Sequence, residues 1–233
     1  MATFVLVHGA WHQGWAWEAA EQLLRDLGHH TVAPSLTLAS GTRMRDHVAE
    51  LSAAVTETAA LSGPVTLVAH SYAGLPAAEV ASVTGSVERL VLLDAWVADP
   101  GRSVLDVAPQ WFADWCRGIA VGDPAMLPVP ASKMLGLAED GAEWRWLAPK
   151  LVEHPMATFT DPVETGLVTD RAAGAPLEVH AVIATPSRMP FRAFAERRGM
   201  PVHEIESGHD IMVSAPRELA QALHLIAGTD SNP

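Results

Sequence analysis

The sequence predicts an α/β fold, a mostly parallel sheet flanked by helices, with an inserted helical cap. Three observations carry this. Short β-branched apolar runs alternate with helical stretches through residue 95 and again after residue 174. The runs are continuously apolar rather than alternating, as strands buried on both faces must be. Between residues 96 and 174 that rhythm breaks into short pieces punctuated by prolines from Pro100 to Pro162, with Trp111, Trp115, Trp144 and Trp146 among them. The division is therefore a core of residues 1–95 and 175–233, with 96–174 as the insertion. With 233 residues and 49% hydrophobic content, the chain can bury one large core.

Charge and cysteine usage narrow the classes. A formal charge of -12 argues against nucleic acid or an anionic membrane surface as the main partner. Cys116 stands alone, which excludes an internal disulfide and a cysteine-rich metal site. The first residues enter a strand without a basic leader, and no uninterrupted apolar run reaches membrane-spanning length, so a soluble cytoplasmic protein is expected.

Taken in order, Thr3 to Val7 reads as a buried strand, left through the loop His8-Gly9-Ala10-Trp11-His12. Trp17 to Leu27 has Ala20, Leu23, Leu24 and Leu27 at helical spacing, and Gly28 stops it. A strand over Thr31 to Ala33 ends at Pro34, and Val48, Leu51, Val55 and Ala59 mark the next helix. The third strand, from Val65, ends in Ala69-His70-Ser71-Tyr72-Ala73-Gly74, and an alanine-rich helix over Leu75 to Val83 follows. Val87 to Leu93 is a strand ending in Asp94. After the insertion come a strand over Leu177 to Ala184, a helix over Phe191 to Arg198 and a strand over Val202 to Ile205. The loop Ser207-Gly208-His209-Asp210 precedes a last helix from Pro216 to Ile226, with Ser214 as its expected N-cap, and Gly228 to Pro233 reads as a frayed tail.

The third strand ends in a serine flanked two residues either side by Ala69 and Ala73. A serine on a sharp strand-to-helix turn needs small residues at those positions so that strand and helix can approach closely. Together with His8-Gly9-Ala10-Trp11 after the first strand and Ser207-Gly208-His209-Asp210 before the last helix, in that order, the chain resembles an α/β-hydrolase over nearly its whole length. Through Trp11 and the second tryptophan-rich turn Gly14-Trp15-Ala16-Trp17, it is similar to the small capped branch containing plant-type methylesterases and hydroxynitrile lyases. The resemblance implies the α/β-hydrolase fold, Ser71 as nucleophile, His209 as its base, and the backbone N–H groups of Ala10 and Tyr72 as oxyanion donors. Serine chemistry of this kind needs an adjacent imidazole to take the hydroxyl proton and requires no metal or cofactor.

The acid departs from that branch. Its usual place, after the penultimate strand, reads Thr185-Pro186-Ser187-Arg188 and holds no carboxylate. Some haloalkane dehalogenases and lactone hydrolases instead carry the acid at the end of the strand following the nucleophile helix, where this chain has Asp94; Asp99 is the second candidate. Trp11, Tyr72, Trp96 and His12 are the candidate substrate-binding residues, although Trp11 could equally pack under the cap and Trp144 and Trp146 could form the cap's own core. Tryptophan, methionine and leucine in the cap point to a largely apolar small-molecule substrate. The resulting expectation is an esterase or lactonase. A lyase, or a cyclase or binding protein of secondary metabolism, is the alternative, but the lysine that hydroxynitrile lyases place near the base loop has no counterpart, since Lys133 and Lys150 both fall in the cap.

Overall fold

The computed structural model describes residues 1–170 and 176–228. The end of the insertion and the tail beyond residue 228 therefore lie outside the described residues. Six strands form one sheet, β1 (Thr3–Val7), β2 (His30–Val32), β3 (Val65–His70), β4 (Val87–Leu93), and, past the insertion, β7 (Glu178–Thr185) and β8 (Val202–Glu206). Their order is β2-β1-β3-β4-β7-β8 and every pairing is parallel. All carboxyl ends therefore open on one edge, which is where open α/β sheets place their sites.

Helices cover both faces. α1 (Glu18–Asp26) follows a 3-10 turn over Gly14–Trp17, so the first helix begins one residue later than Trp17, and Trp17 is itself fully buried. α2 (Met44–Ser62) turns Met44, His47, Leu51, Val55 and Thr58 inward. α3 (Gly74–Val83) is buried from Gly74 to Ser82, and Gly74 explains how it lies so close. A Cβ there would stand 2.3 Å from the Trp96 carbonyl oxygen and 2.9 Å from the Ala95 Cβ.

The segment between β4 and β7 holds α4 (Val104–Val107), α5 (Gln110–Ile119), α6 (Ala142–Leu147) and α7 (Ala157–Thr160). Its two short strands, β5 (Met126–Leu127) and β6 (His154–Pro155), pair antiparallel with each other and not with the central sheet. The prolines that break the rhythm thus bound pieces too short to form a layer of their own, and they lie over the carboxyl edge of the sheet.

Beyond β7, α8 (Phe191–Arg197) precedes β8, and a one-turn helix α9 (Ile211–Ser214) comes before α10 (Pro216–Gly228). Ser214 does not cap α10. It ends α9, and its hydroxyl points back to the Asp210 carbonyl at 3.0 Å and to the Ser207 hydroxyl at 2.6 Å, bracing the loop that carries His209. Leu219, Ala220, Leu223 and Ile226 form the inner face of α10, with Ala220 more deeply buried than Ala222. Among the described residues no helix is long and apolar enough to cross a membrane.

Candidate active site

The register of the sheet brings three strand ends together. β3 and β4 pair His70 with Leu93, and β4 and β7 pair Leu93 with Val182, so Ser71 and Asp94 each leave the sheet one residue past adjacent positions. The Trp96 N–H donates to the Ser71 carbonyl at 3.0 Å and the Asp94 N–H to the Val182 carbonyl at 2.8 Å, which ties the two turns to each other and to β7. Ser71 (φ 54°), Asp94 (φ 44°) and Trp11 (φ 66°) are the non-glycine residues with left-handed φ among those described. Such backbone costs about 1–3 kcal/mol at each position and persists only where surrounding structure enforces it. All three line one cavity at the sheet's carboxyl edge.

Along the cavity wall runs a chain of hydrogen bonds. His209 Nδ1–H donates to Asp94 Oδ2 at 2.7 Å, and the Ser71 hydroxyl lies 2.9 Å from His209 Nε2, placed to donate to it. The other Asp94 oxygen accepts from the Ala184 N–H at 3.1 Å, and the carboxylate is 1% exposed, so its orientation is set by the end of β7. Burial works against a charged His209 and would lower its pKa. The hydrogen bond and charge of Asp94, joined by the charge of Asp210, more than offset this, and the pKa lies above the ordinary histidine value. Phe191 stacks on the imidazole at 15° between ring planes. Asp99, the second candidate acid, lies on the surface in an ion pair with Arg198 at 2.6 Å. Pro186 and Ser187, at the place where the acid was sought and not found, line the cavity instead.

Two histidines beside this chain, His8 and His70, have their pKa lowered by burial. The His8 pKa falls to about 3 because the ring is buried; its Nδ1–H donates to the Gly9 carbonyl and its Nε2 accepts from the Leu36 N–H. His70, beside Ser71, is held well below 6.5 by burial and then by the neighbouring His209, and its Nε2–H donates to the His209 carbonyl at 3.0 Å.

Two expected substrate-binding side chains lie off the cavity. His12 is 1% exposed and is turned inward: its Nδ1 faces the Ala10 carbonyl at 2.7 Å and its Nε2 the Asp210 carboxylate at 3.2 Å. Asp210 is fully buried; burial disfavours its charge, but His12, with His70 and His209, keeps its pKa below the usual carboxylate value. Both His12 nitrogens therefore face acceptors, one of them a charge. Tyr72 points under the turn, where its hydroxyl reaches His47 Nδ1 at 2.8 Å, and burial raises its pKa. Its backbone N–H lies in the first turn of the 3-10 helix Ser71–Ala73 and so has no intrahelical partner.

Trp11 and Trp96 do line the cavity, which measures about 300 Å³. Trp11 also fastens the insertion, through its Nε1–H to the Leu127 carbonyl at 3.1 Å and its carbonyl to the Val152 N–H at 3.0 Å. The remaining wall comes mostly from Trp111, Phe112, Met134, Leu135, Phe159 and Met189, none of which was singled out individually from sequence as pocket lining. Trp144 and Trp146 lie outside it, with Trp146 packed on Trp15 and topped by the Lys150 ammonium.

The chain is similar to several known proteins. A carbendazim hydrolyzing esterase from a Nocardioides species is 28% identical over 246 aligned positions, covering 96% of this chain and 98% of that protein. Methylesterase 4 of Arabidopsis thaliana is 33% identical over 106 positions, covering 41% of this chain and 40% of that protein. Among solved structures, an extracellular alpha/beta-hydrolase from a Paenibacillus species, described as sharing structural and functional homology with tobacco Salicylic Acid Binding Protein 2, superposes with a TM-score of 0.84 at 18% identity, covering 99% of this chain and 100% of that one. The model of the Alpha/beta hydrolase family matches residues 4–222, and the chain belongs to that family.

Proposed function

We propose that the protein is an ester hydrolase that cleaves a carboxylic ester or lactone of a largely apolar small molecule, with Ser71 as nucleophile, His209 as general base and acid, and Asp94 as the group that orients His209. The observation that carries this reading is the Asp94–His209–Ser71 chain of hydrogen bonds, at 2.7 and 2.9 Å, opening on an aromatic cavity. The esterase names of the two relatives support the ester as the bond cleaved.

Ser71 Oγ attacks the ester carbonyl as its proton passes to His209 Nε2, and Asp94 steadies the imidazolium that forms. Negative charge develops on the carbonyl oxygen, where the backbone N–H groups of Ala10 and Tyr72 are the donors this reading assigns. Collapse of that adduct releases the alcohol, which takes the proton from His209. Water, deprotonated by the same imidazole, then hydrolyses the acyl-serine and frees the acid. The insertion serves in this scheme as a cap whose aromatic face holds the apolar part of the substrate.

A fluorophosphonate probe tests the reading directly. It is expected to label the wild-type protein at Ser71, to leave Ser71→Ala unlabelled, and to be competed by short aryl esters that the wild type turns over. A folded wild-type protein that neither reacts with the probe nor hydrolyses any ester would sink it in favour of a lyase, cyclase or binding role.

A further inference from the structure

We infer that the preferred substrate of this site is a half-ester: an apolar body with the scissile ester at the cavity floor and a free carboxylate, or an anion of similar size, at the rim. The inference rests on the hydrolase reading for the ester end and on a separate observation for the anion end. In an acidic chain of net charge -12, the charged residues of the cavity wall besides the Asp94–His209 pair are two cations, Lys133 and Arg188. The acid in that wall, Asp94, is buried and already engaged by His209 and the Ala184 N–H.

The two cations come from different segments of the chain. Lys133 belongs to the one-turn 3-10 helix Ser132–Met134 of the insertion. Arg188 sits on the loop after β7, its guanidinium 6.0 Å from the ring centre of Trp111 on α5. Both are exposed, whereas Ser71 is 9% exposed, so the cations stand at the solvent end of the cavity and the nucleophile at its floor. Several other cations are neutralised by carboxylates, Arg43 by Asp161, Arg89 by Glu178, Arg198 by Asp99 and Arg25 by Glu21, and Lys150, which has no such partner among the described residues, lies over Trp146 away from the cavity. Among the described residues, Lys133 and Arg188 have no ion pair. Between floor and rim the wall is aromatic and aliphatic, through Trp11, Trp96, Phe112, Phe159 and Met134, and offers an apolar chain or ring its hydrophobic contact.

A pair of unpartnered cations at the mouth of such a cavity raises the local concentration of anions and favours their capture, an effect that salt screens. The same pair would hold the carboxylate of a half-ester away from the floor, so the ester end and not the acid end meets Ser71. A neutral diester gains nothing from the rim, and a cationic ester is repelled.

The test separates this from hydrolysis itself. The Ser71→Ala protein is titrated calorimetrically with monoethyl adipate and with diethyl adipate, at low and high ionic strength. The half-ester is expected to bind about tenfold more tightly at low salt, with the gap closing at high salt. It is also expected to vanish in a background carrying Lys133→Ala and Arg188→Ala and to reverse with Lys133→Glu and Arg188→Glu. In the wild type, the ratio of kcat/KM for half-ester over diester should follow the same pattern. Equal binding of the two esters, or a half-ester advantage that survives loss of both cations, overturns the inference. If the anion preference is present in binding but the wild type cleaves neither ester, the hydrolase reading fails while the anion-binding rim stands.

Discussion

The floor and the roof of the cavity are held by different physics. At the floor, the strand ends of β3, β4 and β7 and the loop after β8 are joined by hydrogen bonds of 2.7–3.1 Å through Asp94, His209, Ser71 and Ala184, and two of the residues are forced into left-handed backbone. The roof is aromatic, and Trp111 at 46% exposed is in part open to water. Directional contacts fix positions to fractions of an ångström, whereas apolar contacts are satisfied by many shapes. The floor can therefore change little without losing its geometry, and the roof can vary with the substrate.

Breaking the floor should give the largest effects. Ser71→Ala and His209→Ala are each expected to lower kcat by about 10⁵–10⁶, and the double variant by no more than either alone, since residues that act as a unit do not add. Single-turnover assays on folded protein check this, and additive losses would refute a shared step. Asp94→Asn should cost about 10⁴ in turnover by leaving the imidazole in the wrong tautomer.

Asp94→Asn also has a pH signature. The base works in its neutral form, so activity rises as pH climbs through the His209 pKa, which Asp94 holds above the ordinary value. Without that charge, burial dominates and the pKa falls. The acid limb of kcat/KM in Asp94→Asn should therefore move to lower pH; a limb that stays put or moves up would remove Asp94 from the role assigned to it.

Beneath the floor, His12→Ala removes the side chain that meets Asp210 Oδ2 at 3.2 Å and leaves that carboxylate fully buried. Removing one partner of a buried pair costs about 3–5 kcal/mol. Denaturant unfolding should show that loss, and a change under about 1 kcal/mol would refute the stabilising role of the contact. On the roof, Trp111→Ala is expected to raise KM about tenfold for bulky apolar esters while kcat changes by less than about threefold, consistent with contacts made equally in ground and transition states. The smallest effect belongs to Asp99→Asn, which breaks an exposed ion pair with Arg198 and should alter turnover by less than about twofold.

The same contrast governs what could be read from the sequence. Ser71, His209 and Asp94 each sit where a strand run stops, and a strand end is visible in a few consecutive residues. The empty position after β7, at Pro186 and Ser187, was visible too and turned attention to Asp94. The lining of the roof was not legible, because tryptophans at 111, 115, 144 and 146 look alike locally and only the packing of the insertion separates Trp111 from Trp146. His12 was misassigned for a related reason: its partner Asp210 lies 198 residues away, and nothing in the motif around either residue announces the pairing. Tyr72 follows the nucleophile, but its side chain turns toward His47 on α2, a contact that depends on how that helix is rotated.

Gly136 and Gly208 meet where roof and floor touch. A Cβ on Gly208 would stand 2.2 Å from the Gly136 carbonyl oxygen, and one on Gly136, whose φ is 72°, would stand 2.7 Å from the His209 nitrogen. Bare backbone thus presses on bare backbone one residue from the base. In a laboratory evolution experiment that exchanges whole insertions among relatives to alter substrate range, the donor segment would have to arrive with glycine at position 136. Any larger residue there would push the base loop aside, and the chimera would show its defect in turnover rather than in selectivity, even with every aromatic of the new roof correctly placed.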